Sequence, residues 1–356
     1  MTNQANIHKY ALMLHNYTAS IVGARGYSGL ELAKILLNHP QVQLTHGFAT
    51  SAFSLSDYIS HPKAKTVSCL SESDLDLHKT DIVFLATPAE VSLKLAPKLL
   101  SKNCKVIDLS GAFRLKNSDY KKWYGFEHSE NHWLKNSEYG LHPWTGPAGK
   151  AQLVANPGCY ASAISLALIP LLKENLISTD NIVIDAKSGT SGGGKKAAEN
   201  LLFTEVEGEC LPYKVGKHQH LPEIQECVKL FTGVDIDPHL TTSLLPVRRG
   251  ITAGIYANLQ EGMTLAHVDA AFNKHYGGNS LFEVGTVSAR PQLLSLKRVV
   301  GTAKTHIAYE VQGQKLFVFS LIDNLLKGAA SQAVENMNRI CDFKADTGLT
   351  SLEAIL

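Results

Sequence analysis

The sequence predicts an α/β protein in two parts: an N-terminal Rossmann-type domain with a parallel sheet, then an α+β domain with a mixed or antiparallel sheet. Three observations carry that prediction. A chain of 356 residues suits two domains. Strand-like runs alternate with helical segments over residues 17–109, and after about residue 160 the pattern turns to strands and a hairpin.

The elements follow in chain order. Residues 17–22 (YTASIV) are β-prone and lead into the glycine turn Gly23-Ala24-Arg25-Gly26-Tyr27-Ser28-Gly29, then an apolar-periodic helix over 30–37. His39-Pro40 stops that helix, because the residue before proline avoids the α region. Residues 41–49 alternate as a strand does, 82–86 and 105–109 are further strands, and a helix between these two runs through Leu100. A helix over 160–172 precedes a strand at 181–187 and a glycine-rich loop at 188–194. Residues 305–311 and 315–321 form a hairpin across Gln312-Gly313-Gln314. The last helix covers 327–339, and Gly328, Ala329 and Ala330 at its start are small enough for close packing.

Composition excludes several functions. Apolar residues make up 44% and charged residues 19%, inside the globular range. Thirty-four Lys and Arg against 32 Asp and Glu leave a net charge of +2, which does not supply the broad basic field of a nucleic-acid binder. Six cysteines without a Cys-x-x-Cys pair exclude a zinc ribbon, a c-type haem site and a thioredoxin motif, and fit a reducing compartment. Residues 1–17 lack the apolar core and cleavage site of a signal peptide, so a cytoplasmic protein with a short extension is expected. Residues 151–172 carry no charge, but Asn156-Pro157-Gly158 and Pro170 break any membrane-spanning helix there.

Gly23, Gly26 and Gly29 are spaced G-x-x-G-x-x-G, a departure from G-x-G-x-x-G. Glycines in a first strand-to-helix turn let the backbone approach a pyrophosphate, and the helix start offers N–H donors and a positive dipole end. Such a turn also closes a corner without any ligand, but the βαβ context favours a cofactor held by Gly23, Arg25, Gly26, Tyr27, Ser28 and Gly29. An acid that takes a ribose 2′-hydroxyl belongs about 20 residues on. Residues 41–56 contain no Asp or Glu, while Thr50 and Ser51 offer hydroxyls. This favours NADP(H) over NAD(H), since a carboxylate repels a 2′-phosphate, although no arginine stands beside those hydroxyls in sequence.

Asn156-Pro157-Gly158 delivers Cys159 to the start of an apolar helix, where dipole and unpaired N–H groups lower a thiol's pKa and make it a nucleophile. Its plain alternative is a small buried hydrophobe. Lys217-His218-Gln219-His220 puts two imidazoles on one face if the segment is extended. No third ligand is identifiable, so the pair suits acid-base chemistry rather than zinc, and no metal is expected. The loop from Ser188 to Lys196 has backbone donors and two cations, and it suits either phosphate binding or a flexible connection.

Nine stretches then carry a resemblance in one order: GARGYSGLELAKILLNHP, VFLATP, VIDLSGAFRL, YGLHP, ANPGCYASAISLALIPL, DAKSGTSGGGKKA, KHQHLPEI, LLPVRRGI and DNLLKGAASQAVENMN. Over residues 23–338 the chain resembles the N-acetyl-γ-glutamyl-phosphate reductases, the arginine-biosynthesis branch of the aspartate-semialdehyde dehydrogenase superfamily. That resemblance implies reduction of N-acetylglutamyl phosphate by NADPH through a thioester on Cys159. It implies His220 as acid-base residue, with His218 as the alternative or a substrate contact. Arg114 and Arg249 then match cations for the anionic substrate, with Lys217 and Lys195 weaker. Thr87, Pro88 and Asn324 resemble positions lining the nicotinamide, and Ser188, Gly189, Ser191 and Gly192 join the cofactor set. The expected divisions are an extension over 1–17, an NADP-binding domain over 18–158, a catalytic and oligomerisation domain over 159–325, and a C-terminal helix in 326–356 returning to the first domain. A homodimer or homotetramer is expected. The competing readings are an aspartate-semialdehyde dehydrogenase and an NADP-binding redox sensor, the latter without an obvious resolving cysteine.

Overall fold

The computed structural model describes residues 17–147 and 151–352, so the expected extension lies outside the described residues but for Tyr17. Seven strands form an all-parallel sheet: β1 (Tyr17–Val22), β2 (Val42–Ala49), β3 (Ser68–Ser71), β4 (Ile82–Leu85), β5 (Lys105–Asp108), β6 (Glu138–Tyr139) and β7 (Leu153–Ala155), in the order β3-β2-β1-β4-β5-β7-β6. Helices α1 (Tyr27–Leu37) and α2 (Ala89–Leu100) follow β1 and β4. The order reverses between β1 and β4, and a parallel sheet opens its ligand crevice at such a point. β3, β6 and β7 were not anticipated, because runs of two to four residues carry too little alternation to be read.

The second sheet is mixed. Its strands are β8 (Val183–Gly189), β9 (Leu211–Pro212), β10 (His239–Leu245), β11 (Ile251–Asn258), β12 (Phe282–Thr286), β13 (Thr305–Gln312) and β14 (Lys315–Ile322), in the order β12-β13-β14-β11-β8-β10-β9. β8 runs parallel to β10 and β12 to β13, while the other pairs are antiparallel. The β13–β14 ladder extends to Gln312 and Lys315, leaving a two-residue turn at Gly313-Gln314 in which Gly313 has φ +61°. β8 begins two residues later than its apolar pattern suggests.

Helix α3 (Cys159–Lys173) joins the two halves, and every residue from Tyr160 to Leu172 is buried. A helix apolar all round belongs in a core, here among the second sheet, α4 (His220–Thr232) and α5 (Leu265–Tyr276). Among the described residues no helix is long and apolar enough to cross a membrane. The last helix differs from its pattern. A π-helical turn, Leu326–Ala330, precedes α6 (Ser331–Ile340), and all ten residues of α6 are buried although most are polar. Several of its partners belong to the first half of the chain: Asn338 bonds His39 at 3.0 Å, Lys105 donates to the Ile340 carbonyl at 2.6 Å, and Arg339 pairs with Glu138.

Candidate active site

The glycine turn sits at the mouth of the parallel sheet. Gly23 has φ +84°, and a Cβ there would collide with the carbonyl oxygen of Ala86 at the end of β4; one on Gly29 would strike the carbonyl oxygen of Gly23. These two glycines therefore serve close backbone approach. Gly26 caps α1 and, with Tyr27 and Ser28, lines a cavity of about 670 Å³. No acid stands in the first turn of α1, so its dipole end and terminal N–H groups are available to an anion. Thr87 and Pro88, at the start of α2, line the same cavity. The volume and the glycine cradle fit a dinucleotide whose pyrophosphate meets the start of α1.

The arginine absent from the second strand end comes from the turn itself. Arg25 donates to Thr50 Oγ1 at 3.2 Å and to Ser51 Oγ at 3.4 Å, which gathers one cation and two hydroxyls at the end of β2. Lys195 donates to the Arg25 carbonyl at 2.7 Å and lies 5.4 Å and 5.1 Å from the ring centres of Tyr27 and Tyr58. The loop carrying Lys195 is a 3₁₀ turn, Thr190–Gly193, rather than an open row of donors. Thr190 and Ser191 spend their N–H groups on the Val247 and Arg248 carbonyls at 2.9 and 3.0 Å. Ser188, Ser191, Gly192 and Asn324 line the cavity. Asn324 donates to Ser191 Oγ at 3.0 Å and accepts the Gly250 N–H at 2.7 Å. Gly189 is outside the lining, and a Cβ there would lie 2.7 Å from the Arg249 nitrogen.

Cys159 is the first residue of α3, partly buried in the lining of the cavity. The preceding loop is held by a buried network. The Gly158 N–H donates to Glu223 at 2.7 Å, and Tyr139 donates to the same carboxylate at 2.9 Å. Arg114 donates to the Asn156 carbonyl at 2.7 Å and the Leu109 carbonyl at 2.6 Å, and pairs with Glu223 at 3.4 Å. The lowered thiol pKa expected at a helix start is corrected here: burial pushes the Cys159 thiol up to about 11, outweighing the opposing pull of the Tyr160 N–H and Arg114.

The histidines meet by another route than an extended strand. His218 lies in the turn before α4, His220 is its first residue, and their rings are 4.7 Å apart. The backbone N–H of His220 donates to His218 Nδ1 at 3.1 Å. A Cβ on Gly158 would run into His220 Nε2, so this imidazole presses on the residue next to the thiol. Burial, aided by Arg114 and Lys214, pushes His220 down to about 3; burial, aided by His220 and Lys214, pushes His218 to about 2. These shifts favour the neutral forms of the thiol and of both imidazoles.

The expected cations divide. Arg114 lines the cavity. Arg249 does not: its guanidinium pairs with Asp323 at 2.9 Å and with Glu31 of α1 at 2.9 Å, an ion-pair link between the two halves. Lys217 is exposed and outside the lining, whereas Lys214, Lys195 and Lys196 face the cavity.

Comparison with known proteins bears on this constellation. Residues 18–154 match the semialdehyde dehydrogenase NAD binding domain, and 159–324 match the semialdehyde dehydrogenase dimerisation domain. N-acetyl-gamma-glutamyl-phosphate reductase of Campylobacter jejuni subsp. doylei is 39% identical over 331 residues, 92% of this chain and 96% of that one. The same enzyme of Geobacillus stearothermophilus is 39% identical over 340 residues, 94% and 98% of the two chains. The chain belongs to the N-acetyl-γ-glutamyl-phosphate reductase family. Aspartate semialdehyde dehydrogenase II of Vibrio cholerae superposes with a TM-score of 0.70 at 17% identity, covering 92% of this chain and 98% of that one. The enzyme of Francisella tularensis gives 0.66 at 18%, covering 91% and 99%. At those identities the likeness shows the fold, which this family member shares. The matched NAD binding domain points to a nicotinamide cofactor.

Several residues of this family member's site escaped sequence reasoning. Glu223 is fully buried and anchors Gly158, Tyr139 and Arg114 together. Its signal was an acid on the buried face of a helix, three residues after His220, beside Pro222, Ile224 and Cys227. Lys214 had no comparable signal, and Gly328 was marked only as small enough for close packing. Gly328 reaches the site only through the fold, and a Cβ there would stand 2.7 Å from Cys159 Cβ.

Proposed function

We propose that this chain catalyses NADPH-dependent reduction of N-acetyl-L-glutamyl 5-phosphate to N-acetyl-L-glutamate 5-semialdehyde with release of phosphate, a step of arginine biosynthesis. The observation that carries this reading is Cys159 at the head of α3, in one cavity with His220, Arg114 and the glycine turn. The relatives named for that reaction, 39% identical over 92% of the chain, support the substrate.

Cys159 Sγ attacks the acyl carbon as its proton passes to His220, and phosphate leaves with a proton from solvent. A thioester remains. Proton transfer accompanies attack because neither partner is charged at rest. His218 Nδ1 already accepts the His220 N–H, so neutral His218 carries its proton on Nε2 and can only donate, to a substrate oxygen. That supports His220 as the base. When bound, the dinucleotide supplies the hydride that reduces the thioester. His220 returns its proton to sulfur as the carbon–sulfur bond breaks and aldehyde departs. Arg114, Lys195, Lys196 and Lys214 offer positive charge to the anionic substrate and cofactor.

Arg25 with Thr50 and Ser51 supports NADPH over NADH, since a guanidinium and two hydroxyls suit a 2′-phosphate and no carboxylate opposes it. The dimerisation-domain match supports a homodimer or homotetramer, and the chemistry suits the cytoplasm. The test is the reverse reaction: NADP reduction dependent on phosphate, with N-acetylglutamate semialdehyde and aspartate semialdehyde compared. Activity on the acetylated substrate is expected, and activity on aspartate semialdehyde alone overturns the assignment.

A further inference from the structure

The mechanism above leaves one buried charge pair unused. Lys327 and Glu335 are both fully buried, and Lys327 Nζ lies 2.8 Å from each carboxylate oxygen of Glu335. The Lys327 ammonium also approaches the His142 carbonyl at 3.4 Å and stands 5.4 Å from the ring centre of Phe282. One side chain thus meets the C-terminal helix, the loop after β6 and the start of β12. A buried ion pair adds little net stability over an apolar pair of the same shape, and its best-attested use is to fix register.

The register at stake is that of the π-helical turn. The Gly328 N–H bonds the Asp323 carbonyl and the Ala330 N–H bonds the Leu325 carbonyl, each five residues back and each at 3.0 Å. This extra residue per turn brings Gly328 against Cys159, where a Cβ would stand 2.7 Å from Cys159 Cβ. It also aims the Ala329 carbonyl at Asn156, whose amide donates to it at 3.2 Å. Asn336, next to Glu335 on α6, donates to Asn156 Oδ1 at 3.0 Å. Asn156 is therefore gripped from the π turn and from α6, and it begins the Asn156-Pro157-Gly158 loop that ends in Cys159. Lys327 belongs to the π turn and Glu335 to α6, so their contact sets the spacing of the two grips. π turns are rare and concentrate at functional sites, which fits a turn retained for the position it gives.

We propose that Lys327 and Glu335 are positioning residues for the nucleophile: their contact locks the π turn against α6 and so places Asn156 and Cys159. The proposal rests on Cys159 being the nucleophile. The test compares Glu335→Gln and the apolar double variant Lys327→Met/Glu335→Leu with the wild-type chain. It measures thermal midpoint, kcat and KM of the reverse reaction, and the rate and pH dependence of Cys159 carbamidomethylation followed by mass spectrometry. The expected result is that the double variant keeps a thermal midpoint near wild type while kcat falls at least tenfold, KM for NADP stays within twofold, and the Cys159 alkylation profile shifts. Recovery of wild-type kcat and alkylation together with the midpoint overturns the proposal. So does loss of folded protein in both variants, which makes the pair a requirement of the fold. Cys159→Ser run in parallel separates the two ideas, because turnover retained there refutes the nucleophile itself.

Discussion

The cavity has two walls built on different principles. The cofactor side is mostly backbone: Gly23 and Gly29, behind the lining, let β1, β4 and α1 approach, and Arg25, Thr50 and Ser51 lie beyond the lining and are solvent-accessible. The nucleophile side is backed by buried charges and amides, with Glu223 pairing with Arg114 and holding Gly158, and Asn336 holding Asn156. The difference teaches where each wall tolerates change. A surface-facing cation costs only the ligand interaction it makes, whereas one partner removed from a buried network leaves its counterpart desolvated and unpaired.

The sharpest break in that contrast is Glu223→Ala. It should destabilise the fold by about 3–5 kcal/mol by stranding Arg114, and lower kcat by about a hundredfold as the loop that places Cys159 loses its anchor. Calorimetry and steady-state rates check both; a variant with wild-type stability denies that Glu223 anchors the wall. Next, Arg25→Ala should raise KM for NADPH by roughly 10- to 100-fold, the worth of about 1.5–3 kcal/mol for a charged hydrogen bond, with KM for NADH and the thermal midpoint unchanged. Arg249→Ala should instead cost about 1–3 kcal/mol in stability and leave both Michaelis constants within about twofold. Lys217→Ala, the smallest change, should stay within about 0.5 kcal/mol as an exposed substitution does.

Acidity bears on the nucleophile side. His218 and His220, which are buried, and His142, partly buried outside the cavity, are pushed down to about 2, 3 and 4, while an unfolded histidine titrates near 6.5. Below about pH 6.5 the unfolded chain binds protons that the folded chain refuses, so stability should fall steadily as pH drops from 6.5 towards 4. Thermal midpoints across that range check it, and His220→Gln should flatten part of the slope.

The two walls were also unequally legible. Strand, glycine turn and helix from Tyr17 to Leu37 were readable because local pattern dictates them, and Cys159 stood out because Asn156-Pro157-Gly158 marks a helix start. The pairing of Arg25 with Thr50 and Ser51 was half visible: all three were read as cofactor residues, but the cation was sought along the second strand while the fold supplies it from the first turn. A C-terminal helix returning to the first domain was expected, but six polar residues in ten do not announce that all of α6 is buried, which its closure onto β5, β6 and the nucleophile loop brings about. Arg249 and Arg114 look alike in sequence, both are largely buried and ion-paired, and only their placement in the fold tells them apart. One is committed to Asp323 and Glu31, the other opens on the cavity. The thiol's pKa depends on how much water the fold removes, which the local helix-start argument does not contain.

The central claim, a thioester on Cys159, is tested most directly by mixing the protein with N-acetylglutamyl phosphate in the absence of dinucleotide, quenching in acid and mapping the acyl adduct by mass spectrometry. One N-acetylglutamyl group per chain is expected, on Cys159, released as semialdehyde when NADPH is added before the quench. Turnover by a chain that shows no adduct, or an adduct on another residue, would contradict it.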